Sequence, residues 1–563
     1  MFDFDLMEKM QLIKNGENGE EFIHKLIDKL KDLELDKQQN DSFYTENIER
    51  LILENKIVLG SPIIKNILDG NKPVSSCTVV PIDLRKDISN LRSILEPYAA
   101  TTMGSGYDLN QVENPCETIE KINDVIHNLI QIYPNRFSAM GTLDINSPQI
   151  LNFINLKRKR DFETCHYNIS VKIPDNFFDG VKEYEVIENG IKRKVTNIEL
   201  LKNIASSIHY CAEPGIIFTD KFNKTNPLPQ KEYEYKTVAP CAEIAMSEGE
   251  VCQFSYINLG KMIEENGKID KEELKLTTRV LTRMLDNLCD ISIKNAKANS
   301  EIIEDKRRIG VGVCGFADML AKLNLPYDSE KAKEISRDIF SFINFYSKVE
   351  SVNLAKERGS FRKFKQSLCA NPKWYDRFKN VENNWITDMD WMALEQGVQK
   401  YGIRNSSTTA IPPTGRSATI VDASYSIEPY FSLYNAQTET GLNPTFEKFI
   451  ENNYSEIERR EIVEHVSKTG TCEELDEKYK DVKEIFKTAK EINAEKHIEI
   501  MSTINECIDE SISKTVNLPN KSTIQEIEKY IVQAYASGLN GITFFRDKCL
   551  EERNIEVEKD ERW

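Results

Sequence analysis

The chain has 563 residues, 40% hydrophobic and 29% charged, and 74 Lys and Arg against 91 Asp and Glu give a formal net charge of -17. The length predicts two or three domains or one large α/β barrel, and the composition excludes a disordered chain or a disulfide scaffold. The acidic balance excludes a broad phosphate-backbone footprint, so no nucleic-acid partner is expected, although a few local donors can still hold small anions.

Residues 1–70 read as a helical N-terminal region, with LIDKLKDLEL and ENIERLILENKIVLG as its amphipathic runs. Residues 71–550 alternate short apolar runs with long amphipathic helices, which predicts an α/β domain, and residues 551–563 form a charged tail. No stretch approaches ~18 apolar residues, and MFDFDLMEKM lacks a basic segment leading into an apolar run. A cytoplasmic location without membrane contact is expected. Asp270 and Glu273 form a capping-box pattern ahead of Leu274, Leu281, Leu285 and Leu288, which share one helical face. Arg308–Val313 reads as a buried strand, and Gly312 and Gly315 lead into a helix near Phe316. A helix is predicted from Asp328 to Gly359. In the last one Ser522 and Gln525 cap an inner face of Ile524, Ile527, Ile531 and Ala534, and Gly538 stops it before the strand GITFF.

The 12 cysteines include no CxxC pair and no zinc-type spacing, and the 6 histidines form neither HExxH nor DxHxxG, so no metal site is expected. Val238–Ile263 is the most informative segment. Cys241 lies between Pro240 and Ala242, and Glu243 follows two residues on, so an extended loop would project both side chains to one side. Gly249 allows a turn that could return Cys252 towards Cys241.

Read in order with SSCTVVPID, MGSGYDL, NRFSAMGTLDI, HYNISV, RRIGVGVCGFADMLAKLNLPY, RNSSTTAIPPTGRSATIVDASYSIEPYF, SKTVNLP and GLNGITFFRD, this segment resembles the catalytic subunit of ribonucleotide reductases. The likeness is to the class II, adenosylcobalamin-dependent branch and covers roughly residues 71–550. It implies a ten-stranded α/β barrel of two five-stranded halves, with a finger loop in its centre. It implies that Cys241 is the thiyl-radical cysteine, Glu243 the proton-handling carboxylate, and Cys77 with Cys252 the pair that closes to a disulfide. Ser76 and the position of Ala239 are implied on the substrate side, with Thr414, Gly415, Arg416 and Ser417 as the phosphate-cradling turn. A sulfur–hydrogen bond is weak enough to exchange a hydrogen atom with a carbon radical, and two neighbouring thiols can deliver two electrons, so the residue types suit that chemistry. The implied partners are a ribonucleotide and an external thiol or thioredoxin-like reductant; a homodimer is left open.

The chain also departs from the family. Ala239 stands where the motif NPCxE has asparagine, SPQI at 147–150 where HPDI is common, and Cys549 alone where a tail cysteine pair is usual. Phe544 and Phe545 stand where class I enzymes need two tyrosines, and no glycyl-radical motif is present, which leaves adenosylcobalamin as the initiator. Ala239 and the missing tail pair keep a second outcome open: the same radical chemistry on another nucleotide or ribose-containing substrate, without net reduction.

Overall fold

The computed structural model describes residues 2–14, 16–37, 41–101, 103–133, 137–159, 165–188, 190–296, 299–434 and 441–550. Among the described residues fourteen strands follow in chain order: β1 Ile57–Leu59, β2 Cys77–Val79, β3 Gly104–Asp108, β4 Ala139–Asp144, β5 Tyr167–Ile173, β6 Glu183–Glu188 and β7 Ile191–Thr196. They continue as β8 Gly215–Phe218, β9 Thr237–Val238, β10 Ala245–Met246, β11 Phe254–Asn258, β12 Gly310–Cys314, β13 Thr515–Leu518 and β14 Gly541–Arg546.

Strands β2, β3, β4, β5 and β8 lie parallel, in that order, as the first half of a barrel. Strand β14 joins β8 antiparallel and carries β13 parallel on its other side, which completes a seven-stranded sheet. A three-stranded sheet places β11 between antiparallel β1 and parallel β12. Single bridges join the two sheets at both ends: Thr78 to Val251 on one side, Val311 to Thr409 and Ile411 to Ile512 on the other. The second half thus contains β11, β12, β13 and β14, and residues 409–411 enter through isolated bridges without forming a regular strand.

The parallel strands are buried on both faces, so they read as apolar runs and not as alternating patterns. The N-terminal region is not helices alone. Its strand β1 extends the β11 edge, and Ile23, Leu26, Ile48 and Leu51 belong to the same apolar cluster as Ile257, Leu281 and Leu285. The helix Lys271–Asn295 starts as expected, with the Asp270 carboxylate accepting the Glu273 N–H. Two other starts shift by one residue. Ser329, not Asp328, caps a single unbroken helix Glu330–Arg358. Thr523 and Glu526, not Ser522 and Gln525, form the reciprocal capping box of Ile524–Ala536, because the Ser522 N–H is already turned back onto the Pro519 carbonyl. The strand expected at Arg308–Val313 begins at Gly310, since Arg308 is committed to a buried ion network. The tail 551–563 lies outside the described residues.

Candidate active site

The short strands β9 and β10 pair with each other as a hairpin that carries Cys241 and Glu243 at its tip. Glycines make room for it. A Cβ on Gly106 would lie 2.4 Å from the Val238 carbonyl oxygen, and one on Gly104 would meet the Pro240 ring at 2.9 Å and Cys77 Sγ at 3.1 Å. Both glycines therefore let the loop press against β3, the usual meaning of glycine inside a strand. Gly106→Ala is expected to cost about 1–3 kcal/mol of stability by overpacking, readable as a lower urea midpoint at unchanged m-value.

The base of the loop is held by charge. Arg308 donates Nη1 to the Ala245 carbonyl at 2.6 Å and to Glu250 at 2.9 Å, and Nε to Glu510 at 2.7 Å. Lys306 donates to Ser247 at 2.9 Å and to Glu250 at 2.8 Å, and the Ser511 N–H reaches the Glu243 carbonyl at 3.0 Å. Buried pairs of this kind persist when every member is satisfied, and here they tie the finger loop to β12 and to the segment before β13.

The tip is not extended. Ala242 is left-handed at φ 59°, and its N–H closes a turn on the Ala239 carbonyl at 2.8 Å. The loop is therefore not the extended one expected, although Cys241 and Glu243 stay close enough for the Glu243 charge to act on the thiol. Cys241 is exposed to a cavity of about 310 Å³, also lined by Asn168, Ser170, Ser513, Thr543 and Phe545. Glu243 is buried, and one of its oxygens and the sulfurs of Cys77 and Cys252 all lie within 4.8 Å of one another. Gly249, at φ 80°, makes the turn that returns Cys252, whose N–H donates to the Cys77 carbonyl at 3.1 Å.

The electrostatics couple these groups. Hydrogen bonding to Cys252, then burial, pushes the Cys77 thiol well up. Loss of water around the Cys241 sulfur, then the Glu243 charge and Cys77, does the same there, so both sulfurs stay protonated at neutral pH. Burial pushes the Glu243 carboxyl up to about 7, and its Oε2 has no hydrogen-bond partner among the described residues. From the ordinary value of 4.5 up to about 7, native Glu243 keeps a proton that the unfolded chain has lost. Its contribution to stability is therefore full below 4.5 and falls as pH rises through 7. Glu243→Gln is expected to lose that pH slope; urea unfolding of both proteins at about pH 5 and about pH 7.5 checks it, and identical slopes would contradict it.

Tyr256 on β11 connects the thiols to the glycine turn. Burial first, then Glu243, pushes its phenol well up, and its hydroxyl donates to the Pro413 carbonyl at 3.1 Å. Gly312 lets that turn cross β12, since a Cβ there would lie 2.9 Å from Pro412. Thr414 Oγ1 accepts the Ser426 N–H at 2.9 Å, Gly415 is exposed with φ 42°, and Ser417 Oγ meets Ser61 Oγ at 3.1 Å. Arg416 donates Nη1 to the Met10 carbonyl at 3.1 Å, towards the N-terminal helices. Ser76 is half-buried beside Cys77 and holds the dithiol by its backbone, donating to the Cys252 carbonyl at 3.2 Å. The Ala239 methyl is fully buried in an apolar cluster with Val79, Ile244, Met246, Cys252 and Phe254.

Sequence reasoning missed Ser61, Arg308 and the loop-bearing roles of Gly104 and Gly106. Only the glycines left a local signal, two of them interrupting a buried strand.

Two sheets joined by single bridges, with a hairpin that carries Cys241 and Glu243 beside Cys77 and Cys252, define an α/β barrel with a cysteine-bearing finger loop. The ribonucleotide reductase barrel domain matches residues 106–545, and the chain belongs to that family. It is similar to the vitamin B12-dependent ribonucleoside-diphosphate reductase of Thermoplasma acidophilum, 30% identical over 537 residues, covering 90% of this chain and 65% of that protein. The protein of that name from Mycobacterium tuberculosis is 28% identical over 427 residues, covering 73% of this chain and 55% of that one. This chain thus spans less than two thirds of either relative's length. The alpha subunit of the Actinobacillus ureae class Id ribonucleotide reductase shares the fold, with a TM-score of 0.74 at 17% identity and 98% of each chain covered.

Proposed function

We propose that this barrel reduces ribonucleotides to 2′-deoxyribonucleotides by thiyl-radical chemistry, with adenosylcobalamin as the initiating cofactor and the cytoplasm as its location. The observation that carries the reading is the meeting of Cys77, Cys252 and Glu243 within 4.8 Å beside a loop whose tip presents Cys241 to a cavity, with Glu243 and Cys77 near enough to act on its thiol. Both relatives carry vitamin B12 dependence in their names.

The cofactor fits what the cavity offers. At about 310 Å³, with amide and hydroxyl groups from Asn168, Ser170, Ser513 and Thr543, it suits a nucleoside-sized group. Phe545 in its wall has no phenolic hydrogen to pass along a radical path. Adenosylcobalamin, when bound, supplies the one-electron acceptor for the Cys241 hydrogen atom.

The remaining steps belong to the chain. Cys241, held as a thiol until its hydrogen atom is removed, then takes the ribose 3′ hydrogen as a thiyl and returns it after reduction at the 2′ carbon. Glu243, near its midpoint at neutral pH, takes and returns the 3′-hydroxyl proton without a metal. Cys77 and Cys252 together give two electrons and two protons and become a disulfide, while the 2′ hydroxyl leaves as water, so ribonucleotide plus dithiol yields deoxyribonucleotide, water and disulfide. Ser76, Thr414, Gly415, Arg416 and Ser417 are proposed to hold the substrate and its phosphates, with Ser61 added by its contact with Ser417. Position 239 is proposed to act as an apolar wall. Cys549 is buried against Cys211 and Leu550, so an external thiol or thioredoxin-like reductant is proposed to attack half-buried Cys77 directly.

Incubation of the reduced protein with adenosylcobalamin, each ribonucleotide and a dithiol tests the reading. Deoxynucleotide that requires both cofactor and dithiol is expected; none with any of the four bases overturns it. The buried Ala239 methyl favours one alternative, the same chemistry on another ribose-containing compound without net reduction, which would give product with no reductant present.

A further inference from the structure

The reduced thiols form a ligand set that their redox role does not require. Tetrahedral coordination with metal–sulfur bonds of about 2.3 Å and metal–oxygen bonds of about 2.0–2.2 Å places ligand atoms roughly 3.5–3.8 Å apart. The sulfurs of Cys77 and Cys252 and an oxygen of Glu243 already lie within 4.8 Å of one another, so closure needs movements on the order of 1 Å. A second observation points the same way. Glu243 is 2% exposed and its Oε2 has no hydrogen-bond partner among the described residues. A buried carboxylate without a cation is costly, and a bound cation removes that cost.

We infer that the reduced site binds one thiophilic divalent cation of the zinc or cadmium kind, held by Cys77 Sγ, Cys252 Sγ and one Glu243 oxygen, with the fourth position open. Two thiolates select such a cation over magnesium or calcium, which prefer all-oxygen sites. The step is an exchange without oxidation: the cation replaces the two thiol protons, which leave to solvent, and binds the ionised carboxylate. Closing the disulfide consumes both sulfur ligands, so the metal-bound and oxidised states exclude each other, and a bound cation holds the site out of turnover. Local spacing could not reveal this site. Its ligands come from β2, from the finger loop and from the residue two before β11.

The test is a titration of the full-length reduced protein with cadmium alone, read by the ultraviolet sulfur-to-cadmium charge-transfer band. A band saturating at one cation per chain is expected. It should be lost in Cys77→Ser and in Cys252→Ser, displaced by added zinc, and retained at weaker affinity in Glu243→Gln. Wild-type protein oxidised with diamide, its Cys77–Cys252 disulfide confirmed by peptide mapping, should also lose it, and this arm carries no substitution that could misfold. A band unchanged by that oxidation, or equal in both serine variants, overturns the inference by assigning the cation to the other cysteines. The assay contains no nucleotide or cobalamin, so its failure is distinct from failure of the proposed reduction.

Discussion

Cys241→Ala should leave no measurable deoxynucleotide, a loss of at least about 10⁴-fold, while unfolding at the wild-type urea midpoint within about 1 kcal/mol. The two expectations separate because Cys241 packs little and does much. Its side chain is open to the cavity, so removing one sulfur leaves no sealed void, and the loop stays pinned by Arg308, Lys306 and Ser511. Product from a verified alanine variant above that floor would dismiss Cys241 as the hydrogen-atom carrier. Unfolding far below the wild-type midpoint would instead mean that this side chain holds the loop in place.

The second large effect concerns the dithiol. Cys252→Ser should abolish sustained turnover, again by at least about 10³-fold, because a hydroxyl cannot supply the second electron or close a bridge to Cys77. The early step survives in this variant, since Cys241 and Glu243 are untouched. Exchange of a 3′ deuterium label out of the substrate should therefore continue while deoxynucleotide formation stops. Cys252 is 1% exposed in an apolar cluster with Val79, Ile244 and Phe254, so the serine also buries a hydroxyl, at a cost of about 1–3 kcal/mol. Normal multiple turnover in this variant would remove Cys77 and Cys252 from the reductive role.

Much of this could be read from the chain, for reasons that differ by element. Capped helices such as Lys271–Asn295 are visible because their signals are local: a carboxylate at the cap and apolar residues every three or four positions. The turn that brings Cys252 back along the Cys241 segment was legible in Gly249, whose positive φ few other residues accept, whereas its meeting with Cys77 was implied only by the family likeness. The tip geometry was illegible, because nothing local marks Ala242 as left-handed, and the extended reading of Cys241 and Glu243 failed on that one residue. Arg308 was hidden for another reason. Its partners Ala245, Glu250 and Glu510 lie up to 202 positions away, so only the folded barrel assembles them. The one-residue shifts at Ser329 and Thr523 reflect competition between adjacent hydroxyl and carboxylate caps, which three-dimensional hydrogen bonding alone resolves.

The left-handed bend at Ala242 also folds the working groups inward. Cys241 borders a chamber on one face, while the Glu243 charge and the Cys77 sulfur stand near enough to push its thiol up. A sugar seated against that bend would meet sulfur and carboxyl together, so one backbone dihedral gathers onto a single carbon skeleton groups that the chain supplies from well-separated positions.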